Sequence, residues 1–170
     1  MERIGYFNDK QIEYPDYLIK ELLKKKKYII DTSVVSKLFY KESEEDIYNA
    51  SFLYNKLKSE KCILFAPDLL MYELLNVLRT KSEIKDEKVS EILTELYNFL
   101  IILGINKNLL LKSFSISRKL NISLYDSIFL ALTINLDASL ITADKKLYEA
   151  NKNSNYRLIL LSDFVRENSY

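Results

Sequence analysis

From Tyr28 onward the chain alternates short apolar runs with longer amphipathic stretches, and this alternation restricts it to a small set of folds. The runs at 28–30, 62–65, 101–105, 139–142 and 156–161 read as strands. Between them, 44–59, 68–80, 86–100, 108–120 and 124–136 read as helices; the third carries Val89, Ile92, Leu93 and Leu96 at helical spacing, and Pro67 stands just ahead of the second. Strands separated by helices pair in parallel, and right-handed connections then cover both faces of the sheet. The expected class is α/β with a central, mainly parallel sheet.

At 170 residues and 48% apolar content the chain has enough material for one domain with a full core, and no break in composition divides it. The expected boundaries are an extension at 1–27, a domain at 28–165 and a tail at 166–170. In the extension, Pro15 and Asp16 open a short helix whose apolar face is Leu18, Ile19, Leu22 and Leu23, followed by a basic hinge of Lys24, Lys25, Lys26 and Lys27. That face is expected to pack on the domain or on a second subunit.

Composition excludes several chemistries. With no histidine there is no imidazole base, no Ser-His-Asp or Cys-His nucleophile and no His-liganded zinc. The single cysteine, Cys62, allows neither an internal disulfide nor a thiolate metal site, so a reducing, cytoplasmic location is the expectation. No run approaches the ~18 apolar residues of a membrane span, and no glycine-rich phosphate loop is present. A net charge of +1 gives no overall basic signal, so a nucleic-acid partner would have to be held by local Lys and Arg. The thirteen tyrosines are scattered, which suits packing better than a base-stacking platform.

Any catalysis must therefore run on carboxylates. Asp31 in YIIDTSV, Glu73 in LLMYELLNVL, Asp126 in SLYDSIFLALT and Asp144 in LITADKKL each lie inside or at the end of an apolar run, where an ionised acid is costly without a partner. Asp31, Asp126 and Asp144 also have positions suited to helix caps, Asp126 through the Ser123-x-x-Asp126 spacing. Glu73 has Leu69, Leu70, Asn76 and Val77 as its helical neighbours and no such explanation. Capping and metal binding are compatible, and four acids on strand ends and helices suit a pocket for a hard cation. Thr32, Ser33 and Thr142 supply hydroxyls beside the acids.

The order YIIDTSV, then YELLNVL, then YDSIFLALTINLDASLITAD followed by KKL resembles the PIN domain of prokaryotic VapC-type toxin ribonucleases, over residues 28–164. The resemblance implies a three-layer αβα fold. It implies RNA hydrolysis with Mg²⁺ or Mn²⁺ held by Asp31, Glu73, Asp126 and Asp144, with Ser33 and Thr142 as accessory hydroxyls. It further implies a homodimer and a cognate antitoxin. The alternatives are a catalytically inactive PIN-fold regulator that binds RNA or protein, and a haloacid-dehalogenase-like phosphatase. The phosphatase needs an acid two residues after its first aspartate, where this chain has Ser33.

Overall fold

A computed structural model describes residues 24–39, 44–58 and 62–168; the expected helix bearing Leu18, Ile19, Leu22 and Leu23 lies outside these. The strands are β1 (Lys26–Ile30), β2 (Cys62–Pro67), β3 (Ile101–Leu103), β4 (Ser139–Thr142) and β5 (Leu158–Leu160). Among the described residues they form one sheet in the order β3-β2-β1-β4-β5, every pair parallel. Helix α1 (Thr32–Phe39) and α2 (Glu44–Lys58) connect β1 to β2, and α3 (Leu69–Leu78) and α4 (Asp86–Phe99) connect β2 to β3. The chain then crosses through α5 (Lys107–Leu120) and α6 (Leu124–Leu136) to β4, and α7 (Lys145–Asn151), β5 and α8 (Leu161–Asn168) complete it.

This connectivity makes β1 and β4 the switch point. From β1 the chain moves outward through β2 and β3, then returns to the other side of β1 as β4. Because right-handed crossovers in opposite directions place their helices on opposite faces, the sheet lies between two helical layers. In sheets of this kind ligands bind at the carboxyl ends of the two strands where the direction reverses.

Helix α6 is the central buried element. Ser127 through Thr133 are all buried, because α6 lies against β1, β2 and β4 on one side and α5 on the other. Side chains all round the helix, rather than on one stripe, must then be apolar or, like Ser127 and Thr133, donate their hydroxyls to the helix's own carbonyls. Its ends are well marked. Ser123 caps the start, and Asp137 at φ 51° closes the end in the left-handed region that Asp and Asn tolerate. Asn121, at φ 53°, does the same for α5. These two turns reverse the chain around α6, so its first turn lies at the carboxyl edge of the sheet.

Several elements differ from the sequence expectation. β1 begins at Lys26, two residues earlier, because Lys26 and Lys27 pair through the backbone with Cys62 and Ile63 whatever their side chains prefer. β3 ends at Leu103 and β5 covers only 158–160, since Leu161 already belongs to α8, which runs to Asn168. Among the described tyrosines, Tyr48, Tyr72, Tyr97 and Tyr125 are 58–71% exposed, so packing does not account for them all. No helix among the described residues is long and apolar enough to cross a membrane.

Candidate active site

Asp31 follows the last residue of β1, and its backbone still belongs to the sheet through Asp31 N–H donating to the Ile141 carbonyl at 3.0 Å. Its side chain is therefore directed by the strand and is buried. Two hydroxyls converge on a single oxygen: Ser33 donates to Asp31 Oδ2 at 2.6 Å, and Thr142 at the end of neighbouring β4 donates to the same atom. Those hydroxyls are themselves held, Ser33 Oγ by the Ala143 N–H and Thr142 Oγ1 by the Asp144 N–H, each at 3.0 Å. The β1 and β4 ends are thus tied together through the carboxylate.

Glu73 comes from α3. Thr32, the first residue of α1, donates to Glu73 Oε2 at 2.6 Å, which fixes the carboxylate beside the β1–α1 turn. Asp126 stands in the first turn of α6. Ser123 Oγ accepts from the Asp126 N–H at 3.0 Å and donates to Asp126 Oδ2 at 2.7 Å, a reciprocal cap that also sets the direction of the acid.

Electrostatics link three of these acids. Burial pushes the Asp31 pKa up, Ser33 and Thr142 oppose the rise, and the negative field of Asp126 adds to it. For Glu73, burial again raises the pKa, the Thr32 hydroxyl lowers it, and both Asp31 and Asp126 raise it. Asp31, Glu73 and Asp126 therefore act on one another. Asp144 behaves differently: its Oδ1 accepts from the Lys146 and Leu147 N–H groups at 2.7 and 3.2 Å as the cap of α7. Its own N–H donates to Thr142 Oγ1, the hydroxyl that also holds Asp31.

The donor set is all oxygen and mutually repulsive, as a hard divalent cation requires. Among the described residues no three acidic or thiol side chains are grouped so that they could hold an ion by themselves. Mg²⁺ does not need such a group, because it keeps several waters and takes one or two carboxylates plus substrate oxygens. The residues fit such an ion on those terms.

A pH dependence follows. Asp31 and Glu73 hold protons more tightly folded than unfolded, so they contribute stability at pH below the ordinary carboxylate pKa of about 4, and this is lost as pH rises through their elevated values. In chelator, the thermal midpoint is expected to fall as pH rises from about 4 toward neutrality, and saturating Mn²⁺ should flatten that fall by binding the ionised forms. Melts with no such difference between chelator and Mn²⁺ would contradict it.

Sequence reading named Thr32, Ser33 and Thr142 as the hydroxyls beside the acids, but not which acid each one holds. Ser123 was visible as half of a capping box but not as the group that aims Asp126. The Thr32–Glu73 link joins residues 41 apart and leaves no local pattern.

Residues 28–153 match the family model for the PIN domain, and the chain belongs to the PIN-domain family. No curated protein sequence matches it. Among solved structures it is similar to PAE2754 from Pyrobaculum aerophilum, at TM-score 0.61 and 15% identity over 84% of this chain and 88% of that one. VapBC2 from Rickettsia felis, bound to a DNA fragment from its promoter, matches at 0.60 and 16% identity over 79% and 98%. Mycobacterium tuberculosis VapC20, a toxin that cleaves the sarcin-ricin loop, matches at 0.58 and 12% over 72% and 94%. At these identities the likeness is one of fold.

Proposed function

We propose that the chain is a Mg²⁺- or Mn²⁺-dependent endoribonuclease of the PIN-domain toxin type, hydrolysing RNA phosphodiesters at the carboxylate pocket. The observation that carries this reading is the buried Asp31, hydroxyl-tethered across β1 and β4, facing the field of Asp126 and itself acting on Glu73, in a chain without histidine. Similarity of fold to a protein described as a sarcin-ricin-loop-cleaving toxin supports the substrate class.

Asp31, Asp126 and Asp144 would hold the cation directly or through water, with Glu73 completing the site. When bound, it supplies Lewis acidity that activates water and neutralises charge on the phosphate. The chain's own residues do the rest. Ser33 and Thr142 keep Asp31 ionisable and fixed in direction by donating to it. Thr32 leaves one Glu73 oxygen to orient the attacking water in line with the phosphodiester. The strand ends and first helical turns that carry these groups are rigid, so positioning costs little at the moment of reaction.

A cognate antitoxin and a homodimer are part of the proposal. Leu110, Leu111 and Phe114 on α5 are 41%, 60% and 56% exposed, an apolar strip suited to a protein surface. The decisive assay is cleavage of single-stranded RNA by purified protein. Cutting is expected with Mn²⁺ or Mg²⁺ and should stop with chelator. Binding of RNA or protein with no metal-dependent turnover would overturn the enzyme reading in favour of a regulator.

A further inference from the structure

At the opposite end of the sheet, by the amino ends of β1, β4 and β5, lies a cavity of about 470 Å³ lined by Lys24, Lys25, Lys26, Lys27, Arg157 and Asp137. Five cations against one carboxylate give this lining +4 in a chain of net +1, which leaves −3 for all the rest. The four candidate acids lie toward the carboxyl edge of the sheet, and this basic lining lies at the amino edge. Such a local field attracts anions although the whole molecule is nearly neutral.

The lining also limits the kind of anion. Lys24 and Lys26 are exposed, and Arg157 is anchored by Asp137 at the turn that closes α6. Tyr28 and Phe164 lie at the cavity but pack edge to face with ring centroids 5.3 Å apart, and both are buried. Their rings are engaged with each other, and the other apolar residue of the lining, the half-buried Ile159, is no platform for a base. What remains is flexible point charge, the means by which proteins grip a phosphate backbone without reading sequence.

We propose that this cavity is a second, sequence-blind phosphate-binding subsite for RNA, remote from the carboxylate pocket; its role toward substrate rests on the ribonuclease reading above. β1 has five residues, and at about 3.3 Å each the two edges are roughly 17 Å apart. A substrate that engages both sites must span several nucleotides or be folded, so long RNA gains affinity that a short oligonucleotide cannot.

The test is equilibrium binding of a labelled poly(U) probe of about 30 nucleotides, which offers about one phosphate per nucleotide, to the full chain in chelator across a salt series. Lys24→Gln/Lys26→Gln is expected to bind about tenfold more weakly at 0.1 M salt and to reduce the log–log salt slope by about 1.4, or 0.7 per phosphate contact. Lys88→Gln/Lys152→Gln, an equal charge change at the helix surface, should leave the slope as it was. Lys24→Gln alone, ahead of β1, gives the one-contact slope should the double variant melt early. Unchanged slopes in the first variant, equal loss in both variants, or binding of polyglutamate in preference to poly(U) would each overturn the subsite. Mn²⁺-dependent cleavage by the wild type is read separately: its absence alongside lysine-dependent binding overturns the nuclease reading and supports the subsite.

Discussion

Asp126→Asn is expected to lower metal-dependent RNA cleavage by at least about a hundredfold while leaving the fold intact. The amide has almost the shape of the acid, and the Ser123 hydroxyl still caps α6 through the Asp126 N–H. What the variant removes is charge. Asp126 raises the pKa of both Asp31 and Glu73, so its loss should also make those acids release protons at lower pH. The measurement is single-turnover cleavage with Mn²⁺ beside a thermal melt in chelator. A variant that cleaves as fast as the wild type would place the activity elsewhere, and one that unfolds would show Asp126 to be a structural cap.

Thr142→Val should cost stability as well as activity. Thr142 is fully buried, donates to Asp31 and accepts from the Asp144 N–H, while valine keeps the branched shape that suits a strand. The missing hydroxyl leaves a buried carboxylate with one donor fewer and an N–H without its acceptor, a loss of about 2–3 kcal/mol. Urea unfolding in chelator measures it. The Asp31 pKa should rise further, which weakens metal binding near neutral pH. Thr142→Ser, which restores the hydroxyl, should recover most of both losses. Full stability in the valine variant would mean that the tether between β1 and β4 is dispensable.

Much of the architecture can be read from local chemistry. The helix over 124–136 and the strand over 139–142 match the sequence expectation because Ser123 and the αL turn at Asp137 mark their limits within a few residues. The shorter elements were harder. Helices α1, α7 and α8 have eight, seven and eight residues, too few to be stable alone, so although the cap positions at Asp31 and Asp144 mark where the first two begin, their existence depends on packing. β1 extends to Lys26 for a similar reason, since ladder bonds come from the backbone of β2.

The candidate site divides the same way. Residue type and setting alone marked Asp31, Glu73, Asp126 and Asp144, because an acid in an apolar run carries a desolvation cost that is visible in one dimension. The absence of histidine likewise narrowed the chemistry before any fold was known. Which acids feel each other was decided only by the sheet order. Placing β4 beside β1 brings Thr142 to Asp31 across 111 positions, and the crossover through α6 returns Asp126 to the same edge. Glu73 is held by Thr32 from another helix, whereas Asp144 gives one oxygen to its own cap. The physical reason is that caps and periodicity arise between neighbours a few residues apart, whereas burial, field and the pairing of a carboxylate with a distant hydroxyl exist only once strands far apart in sequence lie side by side.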